Sequence, residues 1–195
     1  MTYYKKLLGE KCYLSPPCAE DAETWTEWFN DLAITLPLGD EAYAPYSLEK
    51  QKQVLNDMIT NQSHVFVIVD LETDHPIGRC LLFGLDHVNR CAMLGIAIGE
   101  KSYWGQGYGQ EAIRLLLDYA FNLLNLNNVM LGAFSFNQRA IACYRKVGFK
   151  EIGRRREARI IGSQAYDVVL MDMLAAEFEP GFIADQMAQA GATDG

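Results

Sequence analysis

Apolar residues recur at helical spacing in two stretches of the first third of the chain. In Ala19–Asn30 the side chains of Trp25, Trp28 and Phe29 share one face of a predicted helix. A second predicted helix occupies Ser47–Asn61, where the serine is suited to an N-cap and an apolar stripe follows it. Both stripes indicate helices that pack against a core rather than helices exposed on all sides.

Runs rich in β-branched residues alternate with short polar turns through the middle of the chain. The predicted strands are Lys11–Leu14, His64–Leu71, Ile77–Leu85 and Cys91–Ile98. Turns at residues 72–76 and 86–90 join the last three of these strands. Because such short connections suit neighbouring strands of opposite direction, the pattern predicts an antiparallel meander.

The hydrophobic pattern changes after this meander. The predicted elements are a helix at Glu111–Leu124, a strand at Val129–Phe134, a helix at Asn137–Val147, and a terminal hairpin of Glu151–Ile161 and Ala165–Met173. The strand–helix–strand unit from Cys91 to Phe134 predicts one parallel strand pair with the helix as its crossover. We therefore expect a mixed α/β (α+β) fold, with residues 1–176 as one domain and residues 177–195 as a C-terminal tail whose first apolar residues could dock.

Composition narrows the classes of function. The 195 residues carry 17 Lys and Arg against 25 Asp and Glu, a formal charge of −8, which disfavours nucleic acid as a partner. No run of apolar residues reaches the roughly 18 that a membrane helix needs, so we expect no membrane partner. The five cysteines are scattered without a C-x-x-C pair, which favours reduced thiols and a cytoplasmic location. None of the three histidines shares a metal-binding spacing with a cysteine pair, so we expect no metal.

Three glycines crowd the junction between a predicted strand and a predicted helix. Gly105, Gly107 and Gly109 permit positive φ and close backbone approach. A helix N-terminus adds unpaired N–H groups and the positive end of a dipole, so the loop predicts an anion site suited to phosphate. The chain lacks the G-K-[ST] of a P-loop, and no acidic residue follows at the distance that the dinucleotide fingerprint requires.

The glycine loop and two further blocks resemble the GNAT acetyltransferases. The segment Trp104–Gly109 is similar to the family's Q/R-x-x-G-x-G/A motif, with Trp104 at a position that is usually Arg or Gln. The segment Asn137–Phe149 resembles the N-x-x-A-x-x-x-Y-x-x-x-G-F block. Near the N-terminus, Tyr13–Pro16 and Glu20–Ala22 resemble the opening of the RimJ/RimL-like branch. The blocks stand in the family's order and span nearly the whole chain.

The resemblance implies the GNAT fold, in which a twisted, mostly antiparallel sheet has one splayed parallel strand pair and helices on both faces. It implies acetyl-CoA as cosubstrate between Met93–Ile98 and Val129–Phe134. The loop amides would hold its pyrophosphate, while the preceding strand and the later helix would hold its pantetheine arm. The positions so implied are Ile96, Ala97, Ile98, Gln106, Gly107, Tyr108, Gly109, Gln110, Asn137 and Ala140. A plain helix N-cap is an equal alternative for Asn137.

The implied reaction is attack of an amine on a thioester, and it needs proton transfers. An amine attacks only when neutral, so a base is useful, and Glu100 at the end of a strand is the candidate, with plain surface charge as its alternative. Tyr144 occupies the family's general-acid position and would protonate the departing thiolate; its alternative is a core or groove-lining tyrosine.

The segment Asp31–Tyr46 has no predicted regular structure, and long loops of this kind are often functional. The resemblance to the family implies that this segment borders the mouth of the acceptor site. Carboxylates beside aromatic rings suit a cationic amine, and the candidates are Asp31, Asp40, Glu41 and Tyr43. The expected acceptor is a protein N-terminal α-amine, with a polyamine or aminoglycoside, or a non-catalytic CoA-binding sensor, as alternatives. The sequence is compatible with a homodimer.

Overall fold

The computed structural model describes residues 2–61, 63–179 and 181–183, and its centre is an eight-stranded sheet. The strands are β1 (Leu7–Leu8), β2 (Cys12–Ser15), β3 (Val65–Asp70), β4 (Pro76–Asp86), β5 (Cys91–Ile98), β6 (Asn128–Phe134), β7 (Lys150–Ile161) and β8 (Gln164–Leu174). Their order is β1-β2-β3-β4-β5-β6-β8-β7. Every neighbouring pair is antiparallel except β5 with β6, as the strand–helix–strand pattern predicted.

Five helices accompany the strands in the described part of the chain. They are α1 (Asp21–Phe29), α2 (Leu32–Thr35), α3 (Leu48–Thr60), α4 (Tyr108–Asp118) and α5 (Gln138–Val147), with a π-helical turn at Tyr119–Leu123 that continues α4. Short 3-10 turns lie at Asp40–Tyr43, Lys101–Tyr103 and Ala175–Glu177. Across residues 2–61, 63–179 and 181–183, none of the helices has both the length and the apolar surface for crossing a membrane.

The sheet has a hydrophobic core on each face. Along β3, Val65, Val67 and Val69 pack with the tryptophans of α1 and with α3, whereas Phe66 and Ile68 pack with α4 and α5 on the opposite face. This division follows from the two-residue period of a strand, which points successive side chains to opposite sides. A strand buried on both faces therefore reads as a continuous apolar run, as β3 does. The predicted mixed α/β fold with helices on both faces is confirmed.

The parallel pair of strands separates partway along its length. β5 and β6 are paired only at Cys91 with Asn128, Ala92 with Val129, and Met93 with Met130. Beyond that point β5 stays paired with β4 to its end at Ile98, and β6 stays paired with β8 to its end at Phe134. Each strand keeps its outer neighbour and loses its inner one, so a wedge opens in the sheet. The splayed strand pair that the family resemblance implied is confirmed.

The α4 helix begins at Tyr108, three residues before the predicted start at Glu111. Gly107 is its N-cap with φ +93°, a left-handed conformation that side-chain-bearing residues rarely adopt. The N–H of Gln110 already donates to the Gly107 carbonyl at 3.0 Å. The sequence reading placed the whole glycine loop before the helix, whereas the structure puts its last glycine, Gly109, in the first helical turn.

The prediction that Asp31–Tyr46 has no regular structure is wrong in part. The side chain of Asp31 accepts a hydrogen bond from the Ala33 N–H at 2.9 Å and so caps α2. A 3-10 turn at Asp40–Tyr43 follows it. Both elements are single turns, too short to produce a periodic hydrophobic pattern. The two-residue strand β1 was missed for the same reason, because it exists only through its pairing with β2.

The start of the predicted C-terminal tail docks on the domain. The ring centroids of Phe178 and Phe121 are 5.5 Å apart, and Phe182 packs against the α4-side core. The backbone N–H of Ile183 donates to Asp118 Oδ2 at 2.8 Å. The predicted tail beyond this point, residues 184–195, lies outside the described residues.

Close packing of Trp28 over Gly99 gives a test of the fold. A Cβ added at Gly99 would lie 2.0 Å from the indole ring, and Trp28 is itself buried. We expect Gly99→Ala to lower the free energy of unfolding by about 1–3 kcal/mol, the usual cost of forcing extra volume into a core. Urea denaturation measures it. In the control Gly153→Ala the new Cβ meets nothing within 4 Å, and a change within about 0.5 kcal/mol is expected. Equal stability of the two variants would contradict this packing.

Candidate active site

The wedge between β5 and β6 continues into a cavity of about 300 Å³. Its walls come from the end of β5, the glycine loop with α4, helix α5, and the segment after α1. The lining residues are Ile34, Pro37, Leu38, Ile96, Ala97, Ile98, Tyr103, Trp104, Gly105, Gly107, Gly109, Gln110, Ile113, Asn137, Arg139, Ala140, Ala142, Cys143, Tyr144 and Lys146. The structure thus brings together parts of the chain that lie more than 100 residues apart.

The N-terminus of α4 opens onto this cavity. Because Gln110 and Glu111 both donate their N–H groups to the Gly107 carbonyl, the first N–H groups of the helix, on Tyr108 and Gly109, precede the helical ladder. The dipole of α4 adds partial positive charge at the same end. Gly107 and Gly109 line the cavity, and neither has a side chain of its own that would cover these amides.

Two loop side chains are held away from the cavity. The Tyr108 hydroxyl donates to Asp70 Oδ1 at 2.8 Å, and this hydrogen bond raises the pKa of Tyr108 to about 12. The Gln106 amide donates to the Ser102 carbonyl. The side chains of both predicted positions therefore fasten the loop to β3 and to the preceding turn, and a role of their main chain in binding the cosubstrate stays a prediction.

Helix α5 forms the wall opposite the glycine loop. The Asn137 carboxamide accepts a hydrogen bond from the Ala140 N–H at 3.2 Å, which is the N-cap role considered from the sequence. Its Nδ2 lies 3.5 Å from the Pro37 carbonyl, and Asn137 and Ala140 both line the cavity. Asn137 consequently ties α5 to the segment after α1, and contact with a pantetheine arm stays a prediction.

Tyr144 lies one turn further along α5 and lines the same cavity as Ile96–Ile98 and Gly107. The side chain is 8% exposed. Burial, with a smaller contribution from Cys143, raises the pKa of Tyr144 above the ordinary tyrosine value. The hydroxyl is protonated at neutral pH, as an unperturbed tyrosine already is, and the raised pKa extends this form to higher pH.

Glu100 lies just past the end of β5. Its Oε1 accepts a hydrogen bond from the Trp28 indole at 3.1 Å and is 4.0 Å from His75 Nε2. The cavity wall described above does not include Glu100. The contact with Trp28 orients this carboxylate along the α1 side of the sheet, and its role as general base stays a prediction.

Glu100→Gln tests that role, because a carboxamide oxygen still accepts the Trp28 hydrogen bond while the basic carboxylate is lost. If Glu100 is the base, we expect kcat/KM at pH 7 to fall about 100-fold or more, with an unchanged melting temperature. Steady-state kinetics with acetyl-CoA and an amine acceptor measure it. Turnover within about twofold of the parent would assign Glu100 to surface charge instead.

Arg139 and Trp104 form a contact that sequence reasoning missed. The Arg139 Cζ lies 3.8 Å from the centroid of the Trp104 ring, and the indole donates to the Ile98 carbonyl at 2.8 Å. The pair thus connects α5 to the end of β5 across the wedge, and the Ile98 carbonyl is already engaged. The one feature of the sequence that could have indicated this contact was Trp104 itself, which stands where the family usually has Arg or Gln.

The segment between α1 and α3 contributes an apolar wall. Ile34, Pro37 and Leu38 line the cavity, whereas the four acceptor residues predicted in this segment are not among the residues of its wall within the described chain. Those four residues, Asp31, Asp40, Glu41 and Tyr43, lie in the capping position of α2 and in the 3-10 turn.

Two of these acidic residues have their charges paired within the fold. Asp31 is 2.5 Å from Lys101 Nζ, and this contact holds the pKa of Asp31 below its ordinary value. Glu41 lies 3.4 Å from Nη2 of Arg79, a largely buried arginine that also stacks on the Phe29 ring. No group of three or more His, Cys, Asp or Glu side chains in the described ranges is arranged to hold a metal ion.

A split sheet, a helix N-terminus facing the split and a buried tyrosine in the same cavity define a transferase of the kind that binds an acyl-thioester cosubstrate between two strands. The family profile described as "Acetyltransferase (GNAT) domain" matches residues 11–150. The chain belongs to the GNAT acetyltransferase family. It is an acyltransferase, and the family's acetyl donor is acetyl-CoA.

Relatives and solved structures agree with this assignment. The "Putative ribosomal N-acetyltransferase YdaF" of Bacillus subtilis (strain 168) is 35% identical over 52% of this chain and 55% of its own length. Spermidine N(1)-acetyltransferase of Escherichia coli (strain K12) is 32% identical over 58% of this chain and 60% of its own length. Each of these two matches covers little more than half of the relative's length.

Spermidine N-acetyltransferase of Vibrio cholerae, solved with CoA and spermine, superposes with a TM-score of 0.76 at 24% identity. The match covers 87% of this chain and 99% of that one, and it supports the shared fold.

Proposed function

We propose that this chain transfers the acetyl group of acetyl-CoA to the N-terminal α-amine of a peptide. The observation that carries the proposal is the pairing of the acidic acceptor segment within the fold: Asp31 with Lys101, and Glu41 with Arg79. A polyamine carries several positive charges, and its recognition favours carboxylates that are free to face it. Here two of the three candidate carboxylates already face a cation, and the wall that this segment adds to the cavity is apolar.

The ionisation of the acceptor supports the same class. An α-amine has a pKa of about 7.7–8.0, so between about one molecule in six and one in eleven is neutral at pH 7. A Lys-type amine has a pKa of about 10.4, and fewer than about one in a thousand is neutral at that pH. Glu100 is hydrogen-bonded to Trp28 and lies outside the cavity wall. Among the described residues of the cavity wall there is no carboxylate, and such a site suits an amine of which an appreciable fraction is already neutral at pH 7.

Different residues of the cavity would bind the cosubstrate and donate the proton. The N–H groups of Tyr108 and Gly109 would bind the pyrophosphate, and the free edge of β5 at Ile96 and Ala97 would pair with the pantetheine arm as an added strand does. Acetyl-CoA supplies the thioester. Tyr144, a buried tyrosine of the cavity wall that is protonated at neutral pH, would donate a proton to the departing sulfur.

The relatives leave two acceptor classes to be separated by experiment. We would compare kcat/KM for a short peptide with a free α-amine, the same peptide with a blocked α-amine and an internal lysine, and spermidine, following thiol release from acetyl-CoA. The proposal expects the free α-amine to exceed the other two by about tenfold or more. If spermidine gives the highest kcat/KM of the three, the peptide proposal is wrong and the acceptor is a small polyamine. Binding of acetyl-CoA without turnover of any amine would contradict catalysis itself.

A further inference from the structure

Arg159 on β7 is a buried arginine held between two aromatic rings. The residue is only 4% exposed. The Cζ atom lies 4.1 Å from the centroid of the Tyr43 ring and 4.7 Å from that of Phe134. Aromatic faces on both sides of a guanidinium stabilise the cation and leave its edges as the hydrogen-bonding surface.

One edge of this guanidinium has no partner. Nε and Nη2 are both enclosed, and neither has a hydrogen-bond acceptor among the described residues. The other largely buried arginine, Arg79, differs because its Nη2 faces Glu41 at 3.4 Å. A buried charged donor without an acceptor lowers the stability of the fold, and a ligand that supplies an acceptor would remove this cost. Nε and Nη2 lie on the same edge of the planar group, and two parallel N–H donors match the two oxygens of a carboxylate.

The Arg159 side chain lies on the face of the sheet opposite the core of α4, over the end of β6. In β6, Val129, Leu131 and Ala133 belong to the core under α4, so alternation places the Phe134 side chain on the opposite face. The other ring, Tyr43, comes from the segment whose Ile34, Pro37 and Leu38 line the wedge cavity. Arg159 thus stands beside the wedge on the face away from the core of α4 and α5.

We infer that Arg159 binds a carboxylate of the acceptor molecule, a short distance from the amine that is acetylated. The inference rests on the proposed function, because the acceptor is taken to be a peptide; its carboxylate is an acidic side chain near the N-terminus. The α-carboxylate of a free amino acid has the same chemistry. Tyr43, which is 61% exposed, covers the guanidinium and loses little buried surface when it moves aside to admit this group.

A matched pair of peptides tests the inference without any variant. The two peptides are identical except for Glu or Gln at the second residue, and kcat/KM is measured for each. We expect the wild type to prefer the Glu peptide by about 10- to 100-fold, the usual range for a hydrogen-bonded charge pair. Equal turnover of the two peptides would overturn the inference while leaving peptide acetylation established.

Variants of Arg159 then test whether this residue is the source of the preference for the Glu peptide. Arg159→Met is expected to bring the two peptides to equal kcat/KM, and Arg159→Lys, which keeps the charge and loses the planar fork, is expected to retain part of the preference. Arg156→Met removes an exposed charge from the same strand and should leave the preference intact. Preference that survives in Arg159→Met would overturn the inference.

A third arm separates the two proposals. Free amino acids and their carboxamides are assayed as acceptors with the wild type and Arg159→Met. Acetylation of amino acids that depends on Arg159, with no turnover of any peptide, would disprove the peptide acceptor and support the carboxylate site.

Discussion

Tyr144→Phe is expected to lower kcat by about 10²- to 10⁴-fold, the range in which general acids contribute, with KM for acetyl-CoA within about threefold of the parent. The ring stays in its buried position on α5 and only the hydroxyl is lost, so the cavity and the glycine loop keep their geometry. The thiolate then departs without a proton donor. Thiol release measured at saturating acetyl-CoA and acceptor gives kcat directly.

The pH profile provides a second readout of the same residue. Because burial raises the pKa of Tyr144 above its ordinary value of about 10, the acid form persists throughout the neutral range. Wild-type kcat should therefore show no loss between pH 7 and pH 9 that depends on Tyr144.

Tyr119→Phe is the matched control for Tyr144→Phe. The Tyr119 hydroxyl contacts His64 at 2.9 Å, and the residue is outside the cavity wall. This variant should keep full kcat. Full turnover by Tyr144→Phe would remove the acid assignment and leave Tyr144 as a groove-lining tyrosine.

Gly107→Ala is expected to weaken acetyl-CoA binding by about tenfold or more, which corresponds to about 1.4 kcal/mol. The backbone of Gly107 has φ +93°, a conformation that costs a residue with a Cβ about 1–2 kcal/mol. Relief of this strain would turn the N–H groups of Tyr108 and Gly109 away from the cavity. Isothermal titration with acetyl-CoA measures Kd, and kcat at saturation should change little.

Gly148→Ala separates a local effect on the loop from a general loss of stability. Gly148 is the C-cap of α5 with φ +119°, and an added Cβ would meet Met173 Cε at 3.0 Å. Both variants should lose comparable stability, on the order of 1–2 kcal/mol, but only Gly107→Ala should weaken acetyl-CoA binding. A similar rise in Kd for both variants would attribute the effect to stability rather than to the loop.

Elements with a long and regular pattern were predictable. The strand Cys91–Ile98 was placed at its observed bounds, and the ends of α1, α3 and α5 differ from their predicted positions by no more than two residues. Single-turn elements such as α2 were not predicted, because one turn gives no hydrophobic periodicity and its formation depends on a cap and on neighbouring residues. The early start of α4 escaped because helical glycine is disfavoured by propensity, whereas its backbone freedom is needed at this junction.

The sequence motifs indicated several residues that the fold brings to one cavity. The positions Gly107, Gly109, Asn137, Ala140 and Tyr144 all line one cavity, although their assigned roles remain proposals. The side-chain pairings were not predictable, because the partners of an ion pair or of a stacked ring can be far apart in sequence. Lys101 with Asp31 and Arg159 with Tyr43 are examples.

By itself, the amino-acid sequence determined the alternation of strands and helices, the parallel pair and the glycine loop, because each depends on local spacing. Only the tertiary structure decided which charges are paired and which are available. It joins Glu41 to Arg79 and leaves one edge of Arg159 without an acceptor among the described residues. The physical reason is that the energy of a charge depends on burial and on neighbours a few ångströms away, and the folded chain brings those neighbours from distant positions.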